Sequence, residues 1–131
     1  MRSMLAAIAL SLSFAALTLA TPAAAQELMT SYTALLSERD HFNSNGQRLT
    51  TAAAIIRQDR ANYHRFGRRD PADGWDAVFA SVEARTRMEA LLNKGSSAAS
   101  AIQAIVNGTP FVTVEVWGYG GRIDYVNVTV N

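Results

Sequence analysis

Two stretches near the carboxyl end, "FVTVEVW" and "YVNVTV", alternate valine with polar or aromatic residues, and "GYGG" lies between them. Period-two alternation of β-branched residues describes strands with one buried face. Two loops keep the valines together. A three-residue loop, Tyr119 to Gly121, pairs Val114 with Val126 and Val112 with Val128. A five-residue loop, Tyr119 to Ile123, pairs Val116 with Val126, Val114 with Val128 and Val112 with Val130. A two-residue loop sets Val114 against Tyr125 and mixes the faces. It is rejected, because a one-residue slip turns a whole strand face over. A lone hairpin is marginal in water, so the valine face needs helices to cover it.

Those helices are expected upstream. Gln26 to Ser37 reads as a short helix with Leu28, Tyr32, Leu35 and Leu36 near one face. "SNG" marks a turn. The next helix runs from about Leu49 to Phe66, capped by Thr50 or Thr51 and ended by Gly67. Its stripe is Leu49, Ala52, Ala53, Ile56 and Tyr63. After "RRDPADG", the spacing of Trp75, Val78, Phe79 and Val82 predicts another helix. That face does not continue into Ala84, Met88, Leu91 and Leu92, so a kink or restart falls near Ser81. Gly95 ends this element. Ser96 or Ser97 caps a last helix that points Ala98, Ala101, Ile102 and Ile105 inward and stops at Gly108. The expected fold is α+β: four to five short helices, then an antiparallel hairpin packed on them.

The amino terminus reads as an address. Arg2 precedes the uncharged apolar run "MLAAIALSLSFAALTLA", and "TPAAA" fits an A-x-A cleavage signal before Gln26. Residues 1–25 are therefore expected to be a signal peptide and 26–131 one small domain, periplasmic or secreted from a bacterial cell. The whole chain has twelve Lys and Arg against eleven Asp and Glu. Without Arg2 the balance is zero, which argues against a nucleic-acid or anionic-membrane partner. No second apolar run of spanning length follows. The chain has no cysteine, which excludes disulfides, thiol catalysis and Cys-type metal sites.

"HFNSNGQRLTTA" places Asn43, Asn45 and Gly46 at positions 3, 5 and 6 of a calcium loop. Position 1 would be His41 and position 12 Ala52, so the anionic ligands are missing. A turn followed by a Thr-capped helix accounts for every residue. No metal or cofactor is implied. His41 and His64 lack the H-E-x-x-H spacing, and no nucleophile motif, P-loop or dinucleotide fingerprint occurs. No catalytic residue is nominated. Asp73 and Asp76 read as helix-start charges.

Two candidate sites remain. In "RQDRANYHRFGRRD", Arg57, Arg60 and His64 line one helix edge and suit a small anion; the competing reading is a partly buried Arg–Asp network around Asp59 and Arg60. On the hairpin's outer face, Trp117, Tyr119, Tyr125 and Glu115 mix aromatic and polar groups as interaction surfaces do, unless helices cover that face too. The open hairpin edge offers a route to a homodimer. The run "RQDRANYHRFGRRDP", with "NGTP" and the terminal hairpin, resembles small exported bacterial proteins of uncharacterised function; the resemblance implies export and one domain, and no activity.

The expected function is an exported, non-catalytic module that contacts an envelope or extracellular macromolecule through the hairpin. A small-anion or metabolite binder using the arginine-rich helix is the alternative, and a hydrolase without a recognisable motif the weaker one. N-terminal sequencing of the exported protein should begin at Gln26. An intact Met1 on a membrane-bound product would overturn the expected export.

Overall fold

The structure is a computed structural model and describes residues 25–95 and 97–131. The expected signal peptide and the candidate cap Ser96 lie outside the described residues, apart from Ala25 at the cleavage site. Among the described residues, three α-helices pack on a three-stranded antiparallel sheet. The α+β class stands. The expected four to five helices do not, and the hairpin is two-thirds of a larger sheet.

The main correction lies at the start. The segment expected to be helical over 26–37 is a strand, β1 (Glu27–Leu35), paired antiparallel with β2 (Phe111–Tyr119). Tyr32 and Ala34 are buried while Ser31 and Thr33 are exposed, a period of two. The helical stripe through Leu28, Tyr32 and Leu35 competes with this alternation in the same residues. Pairing with a valine-rich strand decides the matter, because sheet propensity expresses the neighbours a residue meets.

A 3-10 turn, Glu38–His41, follows, with Asp40 of the turn bonded to Ser37. The "NSNG" loop folds on itself: Asn43 Oδ1 accepts from the Asn45 and Gln47 N–H groups, and Gly46 takes φ of 77°. Helix α1 (Ala52–His64) then starts where expected, with Thr51 Oγ1 accepting from Ala54 N–H.

No helix forms from Trp75. Asp76 Oδ1 accepts the backbone N–H groups of Val78 and Phe79, an Asx-type turn that offers the backbone an alternative to helix. Only Phe79 of the expected stripe is fully buried, and Trp75 is 68% exposed. The restart at Ser81 does occur: its hydroxyl caps α2 (Val82–Lys94), which ends at Gly95. Met88 of α2 enters the core, with Ala84, Leu91 and Leu92 packed against it. Helix α3 (Ala99–Asn107) begins at Ala98 with no side-chain cap from Ser97. Ile105 is buried, but Ile102, expected inward, is 39% exposed.

The hairpin combines features that the sequence keeps apart. Strand β3 (Arg122–Val130) pairs Val116 with Val126, Val114 with Val128 and Val112 with Val130. That is the register of the five-residue loop. The turn itself has only Gly120 and Gly121 between the paired Tyr119 and Arg122. The register shift lies between Trp117 and Gly118, which face Tyr125 and Ile123, so Asp124 is a bulged extra residue. A bulge absorbs the slip that excluded a two-residue loop. Both turn glycines have positive φ, 57° and 81°, as the favoured hairpin turns require. At Gly118 the constraint is space: a Cβ there would lie 1.9 Å from the Arg122 carbonyl oxygen and 2.8 Å from Met29 Sδ.

Val112, Val114 and Val116 are wholly buried against the helices. Val114→Ala is expected to cost about 1–3 kcal/mol through lost burial and a residual cavity. Gly118→Ala should cost more, since a backbone carbonyl must move. Denaturant melts of the two variants compare them directly.

Candidate functional site

The basic residues of the arginine-rich helix are paired with carboxylates. Arg60, at 0% exposure, donates from Nε to Asp59 at 2.7 Å and from Nη1 to Asp76 at 2.9 Å and the Gly74 carbonyl at 3.0 Å. Its guanidinium carbon sits 4.0 Å from the ring centroid of Tyr32 and 4.5 Å from that of Tyr63. His64 Nε2 lies 2.6 Å from Asp76 Oδ2. Arg57 points elsewhere, to Glu89 at 2.8 Å and to the Thr86 hydroxyl. Each of the three basic groups thus meets a carboxylate, Arg60 and His64 sharing Asp76, and neither the cavity beside β3 nor the one at Gly108 is lined by any of them. The buried Arg–Asp network is the reading the geometry supports.

The network extends beyond the residues nominated from the sequence. Asp40 accepts from Ser37 and from Asn62 Nδ2, which joins the 3-10 turn to α1. Ser37 also donates to Asp70. Asp73 takes the Leu35 and Asp70 N–H groups. The segment "DPADGWD" therefore places three aspartates where they satisfy backbone or buried donors. The signal was present: Asp with Pro and Gly marks side-chain-to-backbone turns. His41, read as part of a turn, is buried, with Nδ1 2.8 Å from the Ser37 carbonyl and Nε2 2.7 Å from the Ile105 carbonyl. With Arg48 on the Val106 carbonyl, it meets acceptors that the end of α3 leaves unpaired.

Burial raises the Asp59 carboxyl from 3.8 to about 7, against the pull of Arg60. Asp76 moves the other way. Burial opposes its ionisation, but bonds from the Phe79 N–H, His64, the Val78 N–H and Arg60 outweigh it and hold the carboxyl below its ordinary value.

The hairpin's outer face is open. All three helices lie on the valine side, and the opposite side carries Leu28, Ser31 and Thr33 of β1, Phe111, Thr113, Glu115, Trp117 and Tyr119 of β2, and Tyr125, Asn127 and Thr129 of β3. Trp117 sits on the central strand with Leu28 opposite on one side and Tyr125 on the other. Tyr125 is 52% exposed, and Tyr119 and Leu28 are also exposed. Trp117 and Glu115 are half-buried by their neighbours on the sheet. The four residues nominated from the sequence share one surface.

Asp59 generates a pH test. In the unfolded chain it ionises near 4, whereas in the folded chain it keeps its proton to about 7, so its contribution to stability falls as pH rises through that window. Between about pH 5 and about pH 8, Asp59→Asn should lose less of its melting temperature than the unaltered protein does. Equal slopes for the two proteins would contradict the assignment. No family model, curated protein or solved structure matches this chain.

Proposed function

We propose that the protein is an exported, non-catalytic interaction module that docks a protein partner on the outer face of its sheet. One observation carries the reading: the helices cover a single face, and the other presents Leu28, Trp117 and Tyr125 in a row across the three strands. A tryptophan at the centre of a patch, with tyrosines beside it and Glu115, Asn127 and threonines around it, has the composition of a protein-binding hot spot with a polar rim. The chain's net charge is only +1, too little to favour a nucleic acid or a membrane surface. The anion-binding alternative loses support because Arg60 and His64 share Asp76 and Arg57 is paired with Glu89.

Capture from envelope extract on immobilised protein, compared with Trp117→Ala and Tyr125→Ala, tests the proposal. Both variants should lose the co-eluting partner, by at least tenfold for Trp117→Ala, the scale of a hot-spot truncation above about 1.4 kcal/mol. Their denaturant midpoints should fall less than that of Val114→Ala. A stability loss of about 3–5 kcal/mol for Trp117→Ala would make it a core residue and sink the proposal.

A further inference from the structure

The two edges of the sheet are treated differently. At β1, the Gly74 N–H donates to the Thr33 carbonyl at 2.7 Å and Asp73 accepts the Leu35 N–H at 3.0 Å, so the loop after α1 covers the Thr33–Leu35 end of that edge. At β3 the alternation is set by the Asn131 N–H, which donates to the Phe111 carbonyl. Asn127 and Thr129 therefore turn their backbone groups toward β2, and Val126 and Val128 turn theirs away. Among the described residues, no hydrogen bond from another segment meets the Val126 or Val128 backbone. Only Arg87 reaches this edge, at the Ile123 carbonyl near the turn.

A cavity of about 570 Å³ runs beside this same stretch. Its wall includes every residue from Asp124 to Val128. The side chains of Tyr125 and Asn127 lie on the outer face, so these residues reach the cavity along the strand's free edge. The facing walls mix apolar side chains, Ala101 and Ile102 of α3 and Leu91 and Leu92 of α2, with polar Thr50, Thr51, Asn93 and Ser97. Asp124, the single charged residue in the lining, already accepts from Gln26.

We propose that β3 pairs antiparallel with β3 of a second copy of this chain, joining two three-stranded sheets into one of six strands. The free groups restrict the register to pairs among the outward-turned Val126, Val128 and Val130. In the register proposed, Val126 of one copy exchanges both backbone bonds with Val128 of the other, and the two-fold axis repeats the exchange, so the four outward N–H and C=O groups of these two residues are met. Asn127 then faces its own counterpart across the axis. Tyr125 faces Thr129 and Asp124 faces Val130, with no like-charge pair between the strands. The inward Val126 and Val128 of each copy, packed in its own core, come side by side across the new seam. A free fatty acid suits the cavity less well, because no cationic side chain lines it to receive the carboxylate. The inference uses the sheet edge and does not rest on the partner proposed for the outer face.

The chain lacks cysteine, so single thiols can be placed at will. Asn127→Cys brings two thiols together at a non-hydrogen-bonded pair with Cα atoms about 4.5 Å apart, within the disulfide range. In this register two Thr129→Cys thiols are about 13 Å apart and stay unlinked. Thr113→Cys, on the central strand, should also stay unlinked. The expected result is a doubled mass for the unaltered protein by sedimentation equilibrium and an oxidised dimer for Asn127→Cys alone. A monomer at all concentrations that does not cross-link through Asn127→Cys overturns the proposal. So does a dimer that cross-links through Thr113→Cys or Thr129→Cys and not through Asn127→Cys. The Thr113→Cys outcome identifies the outer face as the self-contact, which separates failure here from failure of the partner-docking reading.

Discussion

Arg60 carries a permanent positive charge into a place that water does not reach, and three parts of the chain are committed to answering it. Tyr32 comes from β1, Asp59 and Tyr63 from α1, and Gly74 and Asp76 from the loop before α2. Taking such a group out of water costs several kcal/mol, and the cost is met only with good geometry and further hydrogen bonds. Most of that geometry is present. The compensation is incomplete at Arg60 Nη2, Asp59 Oδ1 and the Tyr32 hydroxyl, which are buried without partners among the described residues. The mismatch has a cause in the helix: Asp59 and Arg60 are adjacent, their side chains diverge around the axis, and a two-pronged pairing is out of reach. The carboxyl of Asp59 is lifted in pKa for the same reason, since its burial exceeds what one bond to Arg60 returns.

This network explains why the loop from Gly67 to Ser81 holds a defined path without regular structure. Its aspartates bind backbone N–H groups of β1 and of the loop itself. The same loop covers the Thr33–Leu35 end of the β1 edge. One set of carboxylates therefore answers the buried arginine, shapes the connection and blunts part of one sheet edge.

Much of this was legible in the residues, and the failures have identifiable causes. The valine periodicity placed β2 and β3, and Thr51, Ser81, Gly95 and Gly108 marked helix ends correctly. The stretch from Glu27 to Leu35 was misread because its apolar residues satisfy both a helical and an alternating pattern, and its partner lies far away in sequence. The helix from Trp75 was misread because Asp76 can cap a turn as readily as it can start a helix. The hairpin register was recovered and its turn was not, since a bulge at Asp124 leaves no mark in a count of valines. Arg57, Arg60 and His64 fell on one helical edge as expected, but helical projection cannot show that Asp76 and Glu89 arrive from elsewhere to claim them. The outer-face residues were legible as a group, because alternation assigns a face even when it leaves the covering open.

The strand order has a consequence for the timing of folding. Among the strands, β1 pairs with β2, and β2 in turn pairs with β3. The first strand to leave the ribosome must therefore wait, with Tyr32 and Ala34 uncovered, until nearly the entire chain exists. Closing so long a loop is entropically slow, and topologies dominated by distant contacts fold slowly. A chain built this way stays open during synthesis and acquires its core only at the end. That leaves the waiting strand as the segment on which a holding chaperone would act.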